Sequence, residues 1–191
     1  MNVPKLSNGE AAGKVAVLIR NMMTFWKNSA GWAPVDAASL LNKSMLEWQS
    51  SLADLLPGWN RPLTDGELIL AWANVGAIVE GQLKLFLSVY YEDYAADVEA
   101  LKKNGKLVDP DAITLEPLRV YFKKKIWHSS ENWDEWILMV LQRRNAIHAF
   151  KCKDIGSSAD FHAEFHRLLE FAHSINSRLP YPNDVYIPRD H

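Results

Sequence analysis

The sequence predicts an all-α fold, a bundle of about five or six helices, and three observations carry that prediction. Apolar residues recur at three- and four-residue spacing over most of the chain, which lines them up on one face of a helix. No stretch alternates apolar and polar residues for long enough to make a strand, and neither an internal repeat nor a low-complexity tract is present. The punctuation fits as well: PGWNRP at 57–62, NGKLVDPD at 104–111 and DIGSS at 154–158 fall between the periodic segments.

Taken in order, residues 1–9 read as frayed, and Glu10 to Lys27 follows as a helix through Val15, Leu18, Ile19, Met22, Met23 and Trp26. Val35 to Leu56 reads as one amphipathic helix, with Leu40, Leu41, Met45, Trp48, Leu52, Leu55 and Leu56 on its buried side. Thr64 and Glu67 then match a capping box, in which each side chain satisfies the other's free backbone amide. From Leu68 to about Lys103 the chain is helix-compatible, and its first part is apolar nearly all round, as befits a helix in the middle of a bundle. Gly76 and Gly81 inside it each cost about 1 kcal/mol relative to alanine, so they are expected where a neighbouring helix comes close. Helices are also expected over Thr114 to Trp127, from a cap at Ser129 or Ser130 up to DIGSS, and over Asp160 to Leu179, before the proline-spaced tail. The expected organisation is an N-terminal helical extension over 1–62, a helical core over 63–180 and a tail over 181–191.

Composition bounds the class. With 191 residues, 48% of them hydrophobic, and eight tryptophans, the chain can bury a full core without staples. Its one cysteine, Cys152, excludes an intramolecular disulfide and fits a reducing, cytoplasmic setting. No apolar run is expected to reach the roughly 18 residues of a membrane span, so no membrane partner is predicted. A formal charge of −2 gives no global attraction to nucleic acid, and any polyanion site has to be a local patch.

Two constellations carry possible chemistry. On the last helix His162, His166 and His173 share a face near Glu170, but without an HExxH pattern or matching ligands elsewhere they predict amphipathic filler and no metal site. The second is the stretch Ser130 to Lys151. At about 100° per residue, Trp133, Trp136, Ile137, Val140, Arg144 and Ile147 fall on one arc, with Arg143 and His148 at its edges. Charge on a core-facing stripe needs a partner, because desolvating it alone costs several kcal/mol. Glu80, in the greasy stretch 68–91, poses the matching question, with Lys84, Arg143 and Arg144 as its possible partners. Arg119, Lys123, Lys124 and Lys125 form either a phosphate-binding rim or a solvated helix end.

Arg143, four intervening residues and His148, at the end of an apolar helix late in an all-α chain, resemble the HEPN family and its R-x(4-6)-H motif. The similarity of layout covers roughly Leu63 to Leu179. It implies a metal-independent endoribonuclease without cofactors, a toxin or defence effector, in which two protomers contribute motifs to one composite cleft. The histidine would serve as general base or acid and the arginine would hold the phosphate, giving 2',3'-cyclic phosphate and 5'-hydroxyl ends. Implied partners are RNA, a second copy of the chain and a cognate inhibitor protein. A catalytically silent module that binds a nucleotide, RNA or protein is the alternative. The family places Asn, Asp or His directly after the motif arginine. Arg144 stands there if the motif starts at Arg143; Asn145 stands there if it starts at Arg144, one residue short, so both arginines remain candidates. Phe150 stands where one toxin branch carries a modifiable tyrosine, so that form of control is not expected.

Overall fold

The structure, a computed structural model, describes residues 6–148, 150 and 152–191. Its axis is the helix α4, Asp65–Val89, with Trp72, Ile78, Val79 and Leu83 fully buried. The capping box starts it as expected: the Thr64 hydroxyl accepts from the Glu67 N–H, and the Glu67 carboxylate accepts from the Thr64 N–H at 2.9 Å. By length and composition α4 is apolar enough to cross a membrane, which corrects the expectation that no run reaches that size. Here 61% of its most apolar window is buried against other parts of the chain.

Around α4 the fold is an all-α bundle. The helix α1, Asn8–Lys27, starts earlier than expected because Ser7 and Glu10 form a second capping box. The frayed start expected for residues 1–5 lies outside the described residues. α1 joins the same apolar core as α4 through Ala11, Val15, Leu18 and Met22. Instead of one helix over Val35–Leu56 there are two, α2 (Val35–Lys43) and α3 (Leu46–Asp54), followed by a 3-10 turn at Leu56–Trp59. Ser44 makes the break, with extended backbone at ψ 140° and a hydroxyl that donates back to the Leu40 carbonyl at 2.9 Å. The kink resets the helical phase. Met45, Trp48 and Leu55, expected on the buried side, are at least half exposed, while Leu40, Leu41 and Leu56 stay inside.

Beyond α4 the long helix also stops early. α5 covers Tyr91–Ala96, and two short antiparallel strands, β1 (Lys102–Lys103) and β2 (Lys106–Leu107), replace the expected continuation. Asn104 and Gly105 between them both have positive φ, 53° and 76°, the signature of a tight hairpin turn that an Asn-Gly pair adopts readily. α6 (Leu115–Lys125) and α7 (Trp133–Arg144) follow, and α7 is preceded by Asn132 in the left-handed region rather than by a serine cap. The last helix, α8 (Ser158–Asn176), begins on a Ser157–Asp160 capping box. The tail folds back over α1 and α8: Asp190 pairs with Lys14 at 3.0 Å, Asn176 donates to the Pro188 carbonyl, and the Tyr181 hydroxyl donates to Asn176 at 2.6 Å. Of the aromatic residues outside the central helix, Trp26 and Tyr94 are buried, Trp59, Tyr90 and Tyr91 are half-buried, and Trp32 is well exposed.

Candidate functional site at the end of the arginine helix

α7 packs against α4, with Trp133, Trp136, Ile137 and Val140 buried and its two tryptophan rings set against Phe171 of α8, and this fixes where its two terminal arginines arrive. They meet one face of α4. Trp72, Gly76, Glu80 and Lys84 are spaced four apart, which stacks them along one side of a helix.

Arg144 runs across Gly76 and reaches Glu80 at 2.7 Å. Only a glycine admits this path, because a Cβ at position 76 would lie 2.5 Å from the arginine Cδ. Glu80 also holds Lys84 at 2.8 Å, so the question left open by the sequence is answered by both cations at once. Burial pushes the Glu80 carboxyl up, but the hydrogen bonds and charges of Lys84 and Arg144 outweigh it and leave the group below the ordinary range. Two cations on one carboxylate leave a local excess of positive charge.

Arg143 takes another route. Its guanidinium lies 4.8 Å from the Trp72 ring centroid, in cation–π contact, and would lie 3.1 Å from a Cβ placed on Gly156, whose φ of +66° is itself in the region that favours glycine. The Trp72 indole N–H donates to the Ile155 carbonyl at 2.9 Å and ties the same turn down. The α-helix ends at Arg144; Asn145–His148 winds as a 3-10 turn packed on α4 and α7, with Ala146 buried. This corrects the reading of one helix continuing to DIGSS. At about 120° per residue the tighter winding swings His148 off the arc that α-helical spacing gives. His148 is exposed, and Ile147, expected on the buried arc, is 45% exposed. Asn145 is half-buried at the junction, and Phe150 is fully exposed.

The second set of predicted residues is occupied differently. Arg119 pairs with Glu116 and Asp134, Lys123 with Asp134, Lys124 with Glu99 and Lys125 with Asp97. Each cation of the would-be rim thus holds a carboxylate. The three histidines of α8 face three different groups, the Trp59 carbonyl, Asn8 and Asp190. Among the described residues no group of three or more His, Cys, Asp or Glu side chains is placed to hold a metal ion.

Sequence reasoning missed Trp72 and Gly156 as parts of the site. The four-residue spacing of Trp72, Gly76, Glu80 and Lys84 on an apolar helix was the signal available for the first. Nothing local marked the second. Comparison with family models, curated proteins and solved structures finds no match to this chain.

Proposed function

We propose that this chain is a metal-independent endoribonuclease of the HEPN type, a cytoplasmic toxin or defence effector, with Arg144 and His148 as its reacting pair. One observation carries the reading: Glu80 holds the Arg144 guanidinium at the very end of α7, and the next turn of chain presents His148 to solvent. An anchored guanidinium is a fixed donor for a phosphodiester oxygen, and an exposed imidazole can exchange protons with the reacting hydroxyls. His148 takes the proton of the ribose 2'-hydroxyl, the 2'-oxygen attacks phosphorus, and the bond to the 5'-oxygen breaks. Arg144 stabilises the charge gathering on the phosphate. The 5'-oxygen needs a proton in return, and the same histidine of a second copy supplies it. Exposed Ile147 and Phe150 beside His148 are apolar surface that such a copy would cover.

The test is incubation of the purified chain with bulk RNA in EDTA, followed by analysis of the product ends. Cyclic-phosphate ends are expected. His148→Ala should lose about a hundredfold or more of the rate while its melting temperature stays unchanged, since the side chain is exposed. Intact RNA, or equal cleavage by His148→Ala, refutes the proposal.

One observation favours a second reading, a silent binding module. The α6 cations that would draw in a polyanion are each neutralised by a carboxylate. Under that reading the wild type cuts nothing, and Arg144→Ala abolishes binding of a nucleotide or protein partner.

A further inference from the structure

A separate cavity of about 430 Å³ opens where α1, the start of α5 and the tail meet. Its walls are aromatic: Trp26 from the end of α1, Trp32 from the following loop and Tyr90 between α4 and α5, closed on the tail side by Pro180. The polar atoms of these rings are spent elsewhere. The Trp26 indole donates to the Tyr181 hydroxyl at 3.2 Å, that of Trp32 to the Asn28 carbonyl at 2.9 Å, and the Tyr90 hydroxyl to the Arg178 carbonyl at 2.5 Å. What Trp32 and Tyr90 leave to the cavity is carbon surface and π-electron density, while Trp26, buried under neighbouring rings, backs Trp32.

The rim has the opposite character. Glu92 and Asp93, in the first turn of α5, line the opening, are exposed and pair with no cation among the described residues. Among the described residues no lysine or arginine lines the cavity. Burial, and after it the charge of Asp93, raises the Tyr90 phenol above its ordinary range, so the field of this carboxylate reaches the aromatic wall. Two unpaired carboxylates lining the same cavity as two accessible aromatic rings repel anions and reward a cation that loses little hydration on entering.

We propose that this cavity is a binding site for a methylated ammonium group, seated against Trp32 and Tyr90, with Trp26 backing Trp32 from below, and balanced by Glu92 and Asp93. A quaternary nitrogen spreads its charge over methyl groups, which both the apolar wall and the ring quadrupoles accept. A volume of about 430 Å³ is within the range of small-molecule sites, roughly 300–1,000 Å³. The site is independent of the arginine helix and stands whether or not the chain cleaves RNA.

The experiment is calorimetric titration of the full chain with choline chloride, with tetramethylammonium chloride, and with neohexanol, the neutral isostere of choline that carries carbon in place of nitrogen. Both cations are expected to bind, choline about tenfold or more tighter than neohexanol, as cation–π and carboxylate attraction together imply. The Glu92→Gln/Asp93→Asn pair changes exposed side chains and should keep the melting temperature, whereas Trp32→Ala and Trp32→Phe both lose the indole bond to Asn28 and are compared with each other below their melting temperatures. Trp32→Ala and the carboxylate pair should each weaken choline about fivefold or more, with Trp32→Phe retaining most of the affinity. Equal affinity for neohexanol and choline overturns the proposal in favour of a plain apolar groove. So does the absence of choline binding at tens of millimolar, or affinity unchanged in the folded carboxylate variant.

Discussion

Replacing Glu80 by Gln keeps the shape of the side chain and removes the one charge that faces both Arg144 and Lys84. The Glu80 side chain is 15% exposed, and those of Arg144 and Lys84 are 29% and 26% exposed, so the pair is neither sealed nor freely solvated. Breaking a fully buried pair costs about 3–5 kcal/mol, whereas an exposed pair contributes about 0–1. An intermediate site should lose about 2 kcal/mol. For a chain of this length each kcal/mol moves the melting temperature by about 2–4 °C, so Glu80→Gln should melt roughly 4–8 °C lower. The sign with pH follows from the lowered carboxyl. Its stabilisation is present above the unfolded-state value of about 4.3 and is lost as pH falls through the lower folded value. The deficit of Glu80→Gln should therefore shrink in acid. Thermal melts of the wild type, Glu80→Gln, Arg144→Met and the double variant at neutral and acidic pH provide the measurement. Additivity of the two single changes to within about 0.5 kcal/mol would sink the argument, because two contacting partners must couple.

Three further outcomes are expected. Gly76→Ala should lower the melting temperature despite the roughly 1 kcal/mol gain in helix propensity, because the new methyl meets Arg144 at 2.5 Å and overpacking costs about 1–3 kcal/mol; a higher melting temperature refutes the close crossing. Trp72→Ala empties a fully buried site and removes both the Arg143 contact and the Ile155 hydrogen bond, so chemical denaturation should show a loss of about 3–5 kcal/mol or failure to fold. Thr64→Ala should cost about 1 kcal/mol through the lost cap, read as a shifted denaturation midpoint with an unchanged slope.

The apolar heptad-like spacings made the helices legible because helix formation is local: Thr64 with Glu67 starts α4, and the greasy faces of α1, α4 and α8 could go only inward. Element ends were less legible. Ser44 breaks one periodic stretch in two because α2 packs on α4 and α5 while α3 packs on α1 and α4, and Ala96 ends a helix that propensity alone would continue to the Asn104–Gly105 turn. Arg143, Arg144 and Glu80 were visible as charges misplaced on apolar faces, and the sequence by itself established that they needed partners. Which partners was a tertiary decision. Arg144 and Glu80 are 64 residues apart, and only the approach of α7 to the groove above Gly76 makes their meeting the cheapest way to bury both charges. The same approach winds Asn145–His148 into a tighter turn that buries Ala146 and turns His148 outward, an outcome of packing that helical spacing cannot contain.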